Sequence, residues 1–194
     1  MALAPTPGQT AGPFFGFALP FARGHELVDP GTPGALRVHG TVTDGAGLAV
    51  PDAMIELWQA DPDGNVMQSH GSFLRDGTFT GWGRTETDRA GGYWFRTVEP
   101  GPTEPGRAAY FAVTVFARGL QNRLFTRAYV PGNDTALGAD PLLTSLPADA
   151  ASTLVMAREA DGSLRFDIRL QGEGETVFLT YDAGEHAGRD GVGA

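Results

Sequence analysis

The chain has no cysteine, and that one absence removes a disulfide framework, a thiolate metal site and a cysteine nucleophile together. No run approaches the roughly 18 to 20 consecutive apolar residues of a membrane span. The opening MALAPTPGQTAGPFF carries no basic stretch ahead of an apolar core, so a cytoplasmic setting is expected. Cations are scarce as well, with 14 Lys and Arg against 23 Asp and Glu for a formal net charge of -9. Phosphate binding needs clustered Lys and Arg, so a nucleic-acid surface is not expected. An acidic chain can still hold an anionic ligand where a few arginines are focused, so local arginines matter more than the total. There is no GxSxG elbow, no P-loop and no GxGxxG after a strand, which leaves nucleophilic and nucleotide-binding readings without support. The four histidines, His25, His39, His70 and His186, show neither i, i+2 nor HExxH spacing.

What is abundant is turn chemistry. Gly at 28 and Pro at 14 stand between apolar runs and form no low-complexity block, the pattern of a turn-rich β protein. The 194 residues suffice for one well-buried core, so a single β domain is expected. Leu36 to Thr43 and Ala53 to Gln59 alternate around Asp44-Gly45-Ala46-Gly47, which predicts a β-hairpin. Further turns fall at Asp61-Pro62-Asp63-Gly64 and Asp88 to Gly92, the second leading into an alternating strand from Tyr93 to Val98. Ala108 to Phe116 reads as a buried strand with Leu124 to Val130 as its neighbour, joined by a turn that holds Arg118. Pro147 to Arg158 is the one predicted helix, capped by Ser145, with Asp149 in its first turn and Arg158 in its last. Strands follow over Leu164 to Leu170 and Thr176 to Thr180.

Trp58 is expected in the core, together with Trp82 and Trp94. Asp52 and Glu56 have no carboxylate partner in reach and do not read as an acid-base pair. The chain therefore divides into an extended N-terminal arm over residues 1–35, a β domain over 36–181 and a polar, glycine-rich tail over 182–194. Phe14, Phe15, Phe17, Leu19 and Phe21 make the arm a covered segment, because that many large apolar groups are costly in water. Residues 65–82 lose the alternation and are expected to form a long loop.

The opening TPGQTAGPFF, the segments VPDAMIELWQADPDG, FRTVEPG and VFARGLQNRLFTRAYVPG, and the ending RFDIRLQGEGETVF resemble, in this order, the intradiol ring-cleavage dioxygenases. The resemblance runs from about Thr6 to Tyr181. It implies a mainly β, transthyretin-like sandwich with one short appended helix and an extended N-terminal arm. It also implies a repeated assembly of two related chains, alpha and beta, that cleaves protocatechuate with dioxygen. Catalytic members hold a non-haem ferric ion by two tyrosines and two histidines. At the matching positions this chain has Val66, Thr103, Tyr110 and Ala112. Hard, oxidised iron needs several convergent N or O ligands, and one phenol does not supply them. The expectation is a chain that binds no iron and pairs with an iron-bearing beta partner. By the same resemblance Thr10, Gly12, Pro13 and Arg118 line the partner's substrate pocket, the arginine placing a permanent charge near an aromatic acid's carboxylate.

Two other readings compete with this one. A stand-alone, non-enzymatic β-sandwich binding module would share the strands, but would need neither the TPGQTAGP arm nor an arginine beside the core strand. A metal-free hydrolase on the same scaffold would need convergent His and Arg residues, which this chain shows poorly.

Overall fold

The computed structural model describes residues 12, 18–67 and 78–181. The alternating apolar segments become strands because successive side chains point to opposite faces, so each can bury one face and wet the other. They pair into two sheets. One contains β1 (Ala35–Thr43), β4 (Gly92–Val98), β7 (Ala157–Arg158) and β8 (Leu164–Arg165) in the order β4-β1-β8-β7, with β9 (Ile168–Arg169) also on β1. The other is β3-β2-β5-β6, built from β2 (Met54–Trp58), β3 (Trp82–Glu86), β5 (Tyr110–Phe116) and β6 (Leu124–Tyr129).

Val38, Val42, Tyr93 and Phe95 of the first sheet belong to one apolar core with Ile55, Leu57, Phe111, Val113 and Val115 of the second. Gly40 marks the tightest approach in this layer: a Cβ there would sit 1.8 Å from the Phe166 carbonyl oxygen. That same oxygen accepts the buried Tyr93 hydroxyl at 2.6 Å. A smaller core of Ala108, Tyr129, Ala136, Leu143 and Leu154 lies under three short helices, α1 (Asp134–Gly138), α2 (Pro141–Ser145) and α3 (Ala148–Ser152). No helix among the described residues is long and apolar enough to cross a membrane.

The mainly β class is as expected, and so is the β5–β6 pair, which runs antiparallel from Tyr110↔Tyr129 to Val115↔Leu124. The expected hairpin of β1 and β2 does not form. The turn itself does, with Asp44 Oδ1 accepting from the Ala46 and Leu48 amides and a bridge from Thr43 to Ala49. Beyond it the chain crosses to the other sheet, because both flanking runs are apolar enough to need a sheet on each side of the core. Trp58 is another departure, 39% exposed. Ile55 and Leu57 point inward, and the period of two sends Trp58 out, where its ring lies 5.8 Å from that of Trp82. Trp82 is buried and Trp94 half-buried.

The predicted helix from Pro147 is only one turn and a half, and Ser145 does not cap it, its hydroxyl donating to the Leu142 carbonyl instead. The chain leaves the helix because the edge of β6 recruits it: the Tyr129 amide donates to the Leu154 carbonyl and the Met156 amide to that of Tyr129. Helices α1 and α2 were not anticipated. Each has a side-chain cap, Asn133 accepting from the Ala136 amide and Asp140 from those of Leu142 and Leu143. The run from Leu164 to Leu170 splits into β8 and β9 at Phe166-Asp167, where Asp167 Oδ1 accepts the Thr41 amide and hydroxyl. Thr176 to Thr180 is stitched to β6 by a bridge from Leu179 to Phe125 and makes no regular strand.

Before β1, the Glu26 backbone bridges that of Arg96, Leu27 is buried in the main core and the Phe21 ring stacks on Trp82 at 5.6 Å. The predicted long loop lies in part, and the tail over 182–194 wholly, outside the described residues.

Candidate functional site

Two turns and one strand build the first location. Asp61 Oδ1 accepts the amides of Asp63 and Asn65, which curls the chain through Gly64 at a φ of +87° and delivers Val66. The segment after β4 packs against that curl backbone to backbone. A Cβ on Gly64 would lie 2.1 Å from the Pro102 carbonyl oxygen, and one on Gly101 would lie 2.3 Å from that of Pro62. Only glycine permits this contact, and it sets Thr103 beside Val66. Tyr110 and Ala112 come from the start of β5, two residues apart and therefore on one face. Val66, Thr103, Tyr110 and Ala112 together line one small cavity of about 120 Å³, with Trp58 on its wall. Four positions spread over almost fifty residues of sequence thus converge.

Their chemistry does not fit a ferric ion, since Val66 and Ala112 carry no donor atom, Thr103 offers a hydroxyl and Tyr110 a single phenol. The Tyr110 ring lies under the Arg127 guanidinium at 4.3 Å and beside the Tyr129 ring at 5.6 Å. The Tyr129 hydroxyl donates to Asp140 Oδ1 at 2.9 Å and accepts from Arg127 at 3.3 Å. Burial pushes the Tyr129 phenol up to about 12, with the Asp140 hydrogen bond adding to it and Arg127 opposing, so it stays neutral and is no phenolate ligand. Among the described residues no three His, Asp or Glu side chains converge in a way that could hold a metal.

Arg118 is elsewhere. It stands in the turn after β5, and the six residues from Ala112 to Arg118 span about 20 Å of extended chain. It therefore occupies the opposite end of the strand from the small cavity. Its Nε lies 3.0 Å from Asp52 Oδ2. Beside this turn opens a cleft of about 690 Å³, lined by Phe116, Leu120, Arg123, Phe125 and Tyr181 among others. Gly12 is exposed, with open space where a Cβ would be. Thr10 and Pro13 lie outside the described residues. The structure thus brings Val66, Thr103, Tyr110 and Ala112 together and keeps Arg118 apart from them. Glu56, like Asp52, faces an arginine: Arg84 Nε lies 2.9 Å from its Oε1 across β2 and β3.

A family model described as Dioxygenase matches residues 11–172. This chain belongs to the dioxygenase family. The resemblance read from its motifs is borne out on that point, and curated relatives extend it. The protocatechuate 3,4-dioxygenase alpha chain of Burkholderia cepacia is 38% identical over 91% of this chain and 98% of its own. That of Pseudomonas putida is 36% identical over 92% of this chain and 98% of its own. The beta chain of the Burkholderia cepacia enzyme is 32% identical, over 75% of this chain and 61% of its own length.

Among solved structures, the dioxygenase domain of a dioxygenase and carbohydrate-binding fusion from a cellulolytic Streptomyces is similar with a TM-score of 0.54. It is 28% identical, with 87% of this chain and 99% of that one covered. A catechol 1,2-dioxygenase from an Acinetobacter shares the fold at a TM-score of 0.52 and 23% identity, over 80% of this chain and 60% of its own. Within the dioxygenase family, then, this member keeps the scaffold and carries a donor-poor cavity where four motif positions meet. Sequence reasoning missed Asp52 as the partner of Arg118, and the signal for it lay in the pairing register of β2 and β5.

Proposed function

We propose that this chain is the alpha, non-catalytic subunit of a protocatechuate 3,4-dioxygenase and works in the cytoplasm with an iron-bearing beta subunit in a repeated alpha-beta assembly. The observation that carries the reading is the cavity at Val66, Thr103, Tyr110 and Ala112. Its positions converge as a site would, yet the four side chains offer one phenol and one hydroxyl, too few donors to hold iron. Similarity to two alpha chains over nine-tenths of the sequence supports the same assignment. The assembly inserts both atoms of dioxygen into protocatechuate and opens the ring between its two hydroxyls to give 3-carboxy-cis,cis-muconate. The ferric ion, held by the beta partner, supplies activation of the catecholate by ligation. This chain contributes walls and a charge: the arm residues Thr10, Gly12 and Pro13 shape the substrate side of the partner's pocket, and Arg118 faces the substrate carboxylate. Residues 1–35 act as the covering arm, 36–181 as the scaffold and 182–194 as a tail.

The purified chain alone is expected to contain no stoichiometric iron and to lack the visible tyrosinate-to-iron band, whereas the co-expressed alpha-beta assembly has both and turns over protocatechuate. Elemental analysis and absorption spectra check this. Stoichiometric iron in the isolated chain, lost in Tyr110→Phe, would overturn the assignment.

A further inference from the structure

Asp52 is the residue that the fold arranges around Arg118. The register of β2 and β5 pairs Met54 with Phe116, and continuing it by two residues beyond both strands sets Asp52 opposite Arg118. The backbone of Asp52 has a φ of +73°, in the left-handed region that a side chain with a Cβ rarely adopts. The turn is buttoned in that shape by the buried Thr87, whose hydroxyl accepts the Ala53 amide at 2.9 Å and donates to the Val50 carbonyl at 2.8 Å, while its own amide donates to the Ala53 carbonyl at 2.8 Å. The carboxylate that results is unevenly used. Oδ2 forms an ion pair with Nε of Arg118 at 3.0 Å, whereas Oδ1 is buried without a hydrogen-bond partner. A strained backbone and an unsatisfied oxygen in one residue are both costs, and a site that keeps them is one where the placement of that group matters.

Arg118 is used unevenly too. Its side chain is 57% exposed against 21% for Asp52. The ion pair to Asp52 engages the Nε edge, and no other ion pair or hydrogen bond of the guanidinium occurs among the described residues. An arginine anchored through Nε still has its two terminal nitrogens to offer, the fork that takes a carboxylate in two parallel bonds. A free arginine at a turn would sample many rotamers, and each would have to be frozen when a ligand binds.

We propose that Asp52 is a positioning residue: it anchors the Nε edge of Arg118, so that the outer fork is presented in one orientation to the carboxylate of an aromatic acid bound in the partner's site. This rests on the reading of Arg118 given under Proposed function. Asp52 itself touches no substrate. Its effect is confined to ligands that carry a carboxylate.

The experiment uses the alpha-beta assembly and compares kcat/KM for protocatechuate with that for catechol, which lacks the carboxylate. Asp52→Gly is the informative variant, because glycine is at ease at a positive φ. It is expected to fold with an unchanged or raised Tm and yet lose about fivefold to tenfold of the preference for protocatechuate, mostly in KM. Asp52→Asn, which keeps an oxygen for Nε, should lose less. Arg118→Ala should lose roughly ten- to a hundredfold, and the double variant Asp52→Gly with Arg118→Ala no more than Arg118→Ala alone, the non-additivity of residues that act as a unit. If Arg118→Ala lowers the preference and Asp52→Gly does not, Asp52 merely ties two strand ends and the proposal fails while the reading of Arg118 stands. If Arg118→Ala leaves the preference intact, the reading of Arg118 fails and the proposal goes with it. Equal losses on both substrates in Asp52→Gly would likewise overturn it, as the mark of a change in fold or assembly.

Discussion

Tyr110, Arg127, Tyr129 and Asp140 show how this chain fills the space around its donor-poor cavity. The guanidinium rests on one tyrosine and bonds the other, and the second passes its hydroxyl to a carboxylate that also caps helix α2. Asp140 is thus a buried carboxylate with three donors, 4% exposed. Asp140→Ala removes the cap and leaves the Tyr129 hydroxyl without its acceptor. The expected cost is about 2 to 4 kcal/mol, a cap and an unsatisfied buried donor together, and urea unfolding of the assembly with near-unchanged activity is the check. That Val66 and Ala112 bring no donor atom to the cavity was legible in the sequence alone, because a missing donor atom is a property of the side chain itself. The pairing of Arg118 with Asp52 was not, because it depends on which strands align and by how much.

At the scale of elements, the break between β8 and β9 has a chemical lock in Asp167. Burial works to raise its pKa, but hydrogen bonds from Arg165 and from the Thr41 hydroxyl and amide outweigh it and hold the carboxyl below the usual carboxylate range. A carboxyl with a depressed folded-state pKa contributes stability that is fully present above its unfolded value near 3.9 and is lost as pH falls through the folded value. Stability should therefore drop below about pH 4, and Asp167→Asn should flatten part of that drop while lowering stability at neutral pH; Tm measured from pH 3 to 7 decides it. An unchanged acid limb in Asp167→Asn would remove Asp167 from the account. The strands themselves were readable from alternation, and β4, β5 and β6 fall close to their expected bounds. The short helices were harder: five residues give too little periodicity to see, and their caps became meaningful only when Tyr129 lay beneath them. The hairpin of β1 and β2 failed for a related reason, since a turn constrains four residues and says nothing about the sheet that the next strand joins.

At the scale of the whole molecule, the proposed beta partner is tested at the arm. On the proposed reading, in which the apolar arm covers the beta subunit and contributes to an obligate interface, deleting residues 1–21 should abolish co-purification with a beta chain; unchanged assembly by size-exclusion chromatography after the deletion would show that the arm is no interface element. The sequence by itself determined the mainly β class, the positions of the turns, the dioxygenase family and the donor-free side chains of Val66 and Ala112. These are written in periodicity, in backbone preferences and in side-chain chemistry, all of which are local. Only the tertiary structure decided that β1 and β2 part into different sheets, that Trp58 faces outward, that four distant positions share one cavity and that Arg118 pairs with Asp52. Each of those follows from which faces are buried against which and from the register between strands far apart in sequence, a choice made by the packing of the whole core and not by any segment of it.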